Sequence, residues 1–325
     1  MQAWQFERYG RYDDVLDWVE RDEPVPGPNQ TLVETRAAGL NFPDLLICQG
    51  LYQARAALPA VPGVEGTGTV VAVGPGSKFR VGQRVVGFCN LGGMLADRFV
   101  VDNASAWSVP DHVDDITAAA LSVTYGTSYF ALVHRARLQP GETLLVLGAA
   151  GGVGSAAVQL GKVFGARVIA AAGSAEKLNL CREQGADHVI DYRDGDIVEQ
   201  VKALTQGQGA DVIYDPVGGD LFDQIKRCIA WDGRILVIGF AAGRIPQIEC
   251  NRMLLKNMAV MGLAWGPYVE RDPAKGAACQ AHLYDLLKVN AIKPVVYRTL
   301  PFAEAHEGLR LIDSRELYGK IVLRR

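Results

Sequence analysis

"LGAAGGVGSAAVQLGKVFGARVIAAAGSAEK" (residues 147–177) reads as a strand end, a glycine turn, a helix, a second strand and a polar corner. The preceding "TLLVL" leads into Ala149, Gly151 and Gly154, which take the spacing of G-x-G-x-x-G with alanine in the first place. Gly151 lets a backbone approach a pyrophosphate, and Gly154 lets helix and strand pack closely. Ala150, Gly151, Gly152, Val153 and Gly154 open the helix, where free amides and the helix dipole favour an anion. Val153, Ala157, Leu160 and Phe164 recur at helical spacing and are expected to face a sheet. A glycine triplet alone also serves to bring a helix close to a strand. Here the strand before it, the helix after it and the second strand all fall in place, which points to a dinucleotide.

The polar corner bears on which dinucleotide. A NAD-specific site carries Asp or Glu at the end of the second strand, for the ribose hydroxyls; here the residue is Ala172, followed by Gly173, Ser174 and Lys177. A hydroxyl and an ammonium in place of a carboxylate suit a 2′-phosphate, so NADPH is the expected coenzyme. "VIDYRDGD" adds Tyr192 and Arg193, which a parallel sheet can bring beside that corner. The competing readings are Lys177 as a solvated helix residue, Tyr192 as a packed aromatic and Arg193 as a surface partner of Asp194.

The chain has 325 residues, 49% of them apolar, and a formal net charge of -3. That describes a soluble protein of two domains and offers no basic field for nucleic acid. The N-terminal "MQAWQFERYG" shows no basic segment followed by an apolar run, so a cytoplasmic address is expected. Residues 143–173 are apolar, but interior glycines, Lys162 and Arg167 mark them as soluble core, and no membrane partner is expected. Cys48, Cys89, Cys181, Cys228, Cys250 and Cys279 form no C-x-x-C pair and read as reduced, mostly buried thiols. Up to about Leu121, Gly and Pro break short β-rich runs, as in a small barrel. From Ser122, strands alternate with helices, the pattern of a parallel sheet covered on both faces. The tail "KPVVYRTLPFAEAHEGLRLIDSRELYGKIVLRR" suits either part.

These residues resemble the medium-chain dehydrogenase/reductase superfamily and, within it, the zinc-free quinone oxidoreductase branch that includes the zeta-crystallin-like enzymes. The carriers are "AAGLNFPDLLICQGLY", "PGVEGTGTVVAVG", "VGQRVVGF", "TYGTSYFAL", "GAAGGVGSAAVQLGK", "GADHVIDY", "VIYDPVGG", "GRILVIGF" and "GKIVL". The resemblance implies an α/β protein in which a doubly wound Rossmann sheet (123–290) is inserted in a GroES-like β-rich domain (1–122 and 291–325), with the active site in the cleft between them. It also implies a homodimer through the Rossmann edge strand near 258–265.

Zinc enzymes of the superfamily hold their metal at positions matching Asn41, Val64 and a site near Val123. An amide and two valines cannot replace thiolate and imidazole, so no metal is expected and Glu65 is left as a structural carboxylate. By resemblance Asn41 lies near the nicotinamide and can donate an amide N–H, Tyr52 can donate a proton or hydrogen bond, and Asp44 is a helix-start residue. Thr127 and, at the carboxyl edge of the sheet, Val217, Gly239 and Phe240 complete the expected coenzyme contacts. The implied reaction is NADPH-dependent hydride transfer to a quinone or an α,β-unsaturated carbonyl compound. The alternatives are an enoyl thioester reductase and a coenzyme-binding protein of little activity.

Overall fold

The structure, a computed structural model, describes residues 1–325 and divides into two compact units. Unit 1 comprises Met1–Val123, Gly266–Lys288 and Pro294–Arg325; unit 2 comprises Thr124–Trp265 and Val289–Lys293.

Unit 1 begins with β1 (Gln2–Phe6), α1 (Tyr12–Val15), β2 (Leu16–Glu20), β3 (Gln30–Leu40) and α2 (Phe42–Gln49). It continues through β4 (Glu65–Val73), β5 (Arg84–Phe88), β6 (Arg98–Asp102), β7 (Ala106–Ser108) and the start of α3 (Asp115–Tyr129). Its long strand β3 is the hub. One half pairs with β6, the other with the C-terminal β15 (Lys320–Arg324), and β4 pairs along the opposite side. Strand β14 (Val296–Pro301) completes a seven-stranded sheet, so the tail returns to unit 1 as the resemblance implies. Val33, Val70, Val85, Met94, Phe99 and Ala106 form one of its cores.

Unit 2 runs through β8 (Thr143–Val146), α4 (Gly152–Val163), β9 (Arg167–Ala172), α5 (Ala175–Glu183), β10 (His188–Asp191), α6 (Ile197–Leu204) and β11 (Ala210–Asp215). It ends with α7 (Gly219–Ile225), β12 (Ile229–Val237), α8 (Cys250–Lys256) and β13 (Ala259–Gly262). The six parallel strands lie in the order β10-β9-β8-β11-β12-β13. The order reverses at β8, which puts the ligand crevice of such a sheet beyond the carboxyl end of that strand.

Two expectations are refined. Gly154 to Gly161 in α4 are all buried, so the helix is enclosed on more faces than the one predicted stripe. After α9 (Trp265–Arg271), α10 (Pro273–Lys288) belongs with unit 1 and not, as expected, with the central domain. The reason is local packing: a Cβ at Gly276 would lie 3.5 Å from the Trp107 ring, and Ser122 Oγ donates to Gln280 Oε1 at 3.4 Å. Residues Asp115–Arg135 form a helix long and apolar enough to cross a membrane, but 72% of its apolar window is buried in the protein, as in a core helix. All six cysteines are free, with Cys48, Cys181, Cys228 and Cys279 buried.

Candidate functional site

In unit 2 the chain leaves β8 and turns at Gly148, whose φ of +55° favours glycine. Gly151 N donates to Gly148 O at 2.9 Å, and Ser155 N makes the first helical bond, to Gly151 O at 2.8 Å. The amides of Gly152, Val153 and Gly154 precede that bond and have no helical carbonyl to meet. A Cβ at Gly154 would sit 2.2 Å from Gly148 O and 2.8 Å from Ala149 Cα, so glycine is required for the helix to pack onto its own turn. At Gly148 a Cβ would meet Val217 Cγ2 at 3.3 Å, which places Val217 beside the turn.

The residues of the expected corner lie at the ends of β9 and β10 and the start of α5. Asp191 pairs in register with Ala172, and a Cβ at Gly173 would lie 2.9 Å from the Tyr192 hydroxyl. Ser174 caps α5 by accepting from Lys177 N at 3.3 Å. Arg193 is bound bidentately to Asp191 at 3.3 Å, not to Asp194, and this guanidinium holds the Asp191 carboxyl below its usual range.

On the other side of β8, Ile238 N donates to Asp215 O, and Ala241 N and Ala242 N donate to Pro216 O and Val217 O. Gly239 and Phe240 thus lie against the end of β11: a Cβ at Gly239 would be 3.3 Å from Pro216 O, and one at Gly218 would be 3.2 Å from Phe240. Asp215, buried and pushed up by that burial, accepts from Val217 N at 2.8 Å and Gly218 N at 2.9 Å. Thr127 lies half-buried on α3.

In unit 1 the expected residues fall in a buried polar cluster. Lys320 Nζ donates to Glu65 Oε1 at 2.6 Å, Asn41 Oδ1 at 2.7 Å and Leu40 O at 2.8 Å. Asn41 Nδ2 donates to Glu65 Oε1 at 2.9 Å and Gly39 O at 3.0 Å. An ammonium can only donate, so the carboxamide orientation is fixed by its partners. Both amide hydrogens of Asn41 are thereby engaged. In this structure the side chain therefore braces unit 1.

Asp44 accepts from Asn41 N at 2.8 Å, Gly63 N at 3.0 Å and Val64 N at 3.1 Å, which makes it the helix-start residue expected. Burial pushes its carboxyl up to about 6, against the opposing pull of those amides and of Lys320. Tyr52, just past α2, is half-buried; burial and then the Asp44 charge raise its pKa, so the phenol keeps its proton at neutral pH. Sequence reasoning missed Lys320 as a member of this cluster, although its ammonium stands alone at the head of the apolar run "KIVL".

Two family models match the chain: "Alcohol dehydrogenase GroES-like domain" over residues 27–111 and "Zinc-binding dehydrogenase" over 152–277. The quinone oxidoreductase-like protein 2 homolog of Nematostella vectensis is 41% identical over 300 residues, 91% of this chain and 82% of that one. The chain belongs to the quinone oxidoreductase branch of the medium-chain dehydrogenase/reductase superfamily. Its fold, a GroES-like domain with a Rossmann-like parallel sheet, is that of the superfamily. A quinone oxidoreductase of Pseudomonas syringae superposes with a TM-score of 0.93 at 30% identity, covering 100% of this chain and 99% of that one. The Escherichia coli quinone oxidoreductase complexed with NADPH gives a TM-score of 0.94 at 29% identity over 100% of both chains.

The second model's description raises the question of zinc, and the residues do not fit it. Val123 N donates to Glu65 Oε2 at 2.9 Å and Val64 N to Asp44 Oδ1 at 3.1 Å, so the three candidate positions gather around two carboxylates that are already satisfied. None of the three supplies thiolate or imidazole, and no three His, Cys, Asp or Glu side chains are placed to hold a metal.

Proposed function

We propose that the chain is an NADPH-dependent oxidoreductase that passes hydride to a quinone or an α,β-unsaturated carbonyl compound without a metal. The observation that carries this reading is the turn of unit 2: three helix-start amides beside a corner with no carboxylate at Ala172. When bound, NADPH supplies a hydride, two electrons, to the electron-poor carbon of the acceptor. The amides of Gly152, Val153 and Gly154 hold the pyrophosphate, and Ser174, Lys177 and Tyr192 take the 2′-phosphate. Thr127, Val217, Gly239 and Phe240 hold the other half. The NADPH-complexed relative supports the choice of coenzyme.

Charge that grows on the acceptor oxygen needs a donor and then a proton. In this reading Tyr52 fills both roles, since its phenol is held protonated and makes no hydrogen bond of its own. Asn41, its amide engaged by Lys320 and Glu65, acts by fixing the strand end that precedes α2. Strand β13 stands at the sheet edge, and pairing of that edge with a second copy gives the homodimer this reading carries.

An anaerobic assay that follows NADPH absorbance with a quinone, an enone and an enoyl thioester tests the proposal. Turnover of the quinone or enone is expected. Turnover of the thioester alone would replace the acceptor class, and coenzyme binding with no turnover across the panel would make the chain a binding protein.

A further inference from the structure

Helix α3 is held on both sides of Thr127. One residue before it, a Cβ at Gly126 would come within 2.7 Å of the Trp265 ring, so glycine lets the indole lie against the helix backbone. One residue after it, Ser128 is fully buried, and its hydroxyl lies 2.9 Å from the Tyr214 hydroxyl, from Val153 O and from Thr124 O. Ser128 has one proton to give. Tyr214 therefore donates to Ser128 Oγ, and the serine hydrogen is shared between Val153 O and Thr124 O on its own helix, each 2.9 Å away.

Val153 belongs to the first turn of the phosphate-facing helix, and Tyr214 sits on β11 opposite Val146, the last residue of β8. A hydrogen-bonded line thus joins the strand beside the glycine turn, the helix that carries Thr127 and the turn itself.

The direction of this line matters. Ser174, Lys177 and Tyr192 lie at the ends of β9 and β10, whereas Tyr214 lies on β11, across β8. A dinucleotide centred on the turn at β8 has one half over each side, and Ser128 with Tyr214 stands on the side away from the 2′-phosphate corner. Both hydroxyls are fully buried and have spent their protons, so neither donates to a ligand directly.

We propose that Ser128, with Tyr214 behind it, is a positioning residue for the coenzyme. It sets the separation of Thr127 from the phosphate turn and so aligns the nicotinamide half of the site. The inference rests on the reading that NADPH occupies the turn.

The test compares two ligands by calorimetry: NADPH, which spans both sides, and adenosine 2′,5′-bisphosphate, which engages the corner alone. S128A is expected to weaken NADPH about tenfold, the worth of one buried hydrogen bond, while adenosine 2′,5′-bisphosphate changes less than about twofold. S128A also strands the buried Tyr214 hydroxyl, so Y214F/S128A, which leaves no orphan, is measured as well. The double variant should recover thermal stability and keep the selective loss of NADPH. Equal losses for both ligands, no loss for either, or recovery of NADPH affinity along with stability would overturn the positioning role. Wild-type protein that binds neither ligand would instead overturn the reading beneath it.

Discussion

In unit 2 the polar groups at the glycine turn are backbone amides, and the helix that carries them packs onto its own turn because a side chain is left out at Gly154. In unit 1 the polar centre is made of side chains, with Asn41, Asp44, Glu65 and Lys320 brought together from strand ends far apart in the chain. The two regions should fail differently. A site made of amides is damaged by adding atoms, and a buried charge cluster is damaged by removing a partner.

The contrast is sharpest at Lys320. Its ion pair with Glu65 is 5% and 0% exposed at the two side chains, so neither charge has water to fall back on. Lys320→Met should cost about 3–5 kcal/mol in denaturant unfolding, because it leaves a buried carboxylate with amide partners alone. Lys320→Met/Glu65→Gln should regain most of that loss. If the single variant costs no more than a typical surface change, the pair is not what holds this cluster.

Asp44 gives the second break, read through pH. Its carboxyl is raised from 3.8 to about 6 in the folded protein, so the folded state binds the proton more tightly than the unfolded one. The stability this contributes is full below the unfolded value and is lost as pH rises through about 6. A rise of roughly two units corresponds to about 3 kcal/mol at most. Between pH 4 and pH 7, wild-type stability should therefore fall relative to Asp44→Asn. A flat difference would mean that Asp44 is ionised without penalty.

Additions to unit 2 should act through geometry. Gly154→Ala places its methyl 2.2 Å from a backbone carbonyl that cannot swing away, and should cost about 1–3 kcal/mol together with coenzyme affinity. At Gly151 the nearest atom to an added Cβ is Gly148 O at 3.3 Å, so Gly151→Ala should fold nearly as well as wild type. Equal unfolding midpoints for the two variants would show that the turn yields at Gly154.

What could be read beforehand follows the same division. The glycine spacing between "TLLVL" and "ARVIAAAG" is local, so the strand, turn and helix there were legible in the sequence. Lys320 and Glu65 are 255 residues apart, and no periodicity links them. Their trace is a single charge of each sign set beside apolar strands, in "VEGTGTVV" and "GKIVL". The engagement of Asn41 was hidden for the same reason, since the spacing of "AAGLNFPD" does not reveal a partner near the C-terminus. The place of α10 was also out of reach, because its contacts with Trp107 and Ser122 are set by tertiary packing.

The smallest expected effect tests the polar corner. Lys177 N caps into Ser174, and the side chain is half-buried on the first turn of α5; in the proposed reading its ammonium meets the 2′-phosphate in solvent-accessible space. Such a contact is worth about 1 kcal/mol and is screened by salt. Lys177→Ala should therefore weaken NADPH about five- to tenfold more than NADH at low ionic strength, with the gap narrowing as salt is added. Calorimetry on both coenzymes at two salt concentrations measures it. Because the backbone cap to Ser174 survives the substitution, loss of the helix start cannot mimic the result. Equal weakening of both coenzymes would place Lys177 away from the 2′-phosphate and leave Ser174 and Tyr192 to discriminate.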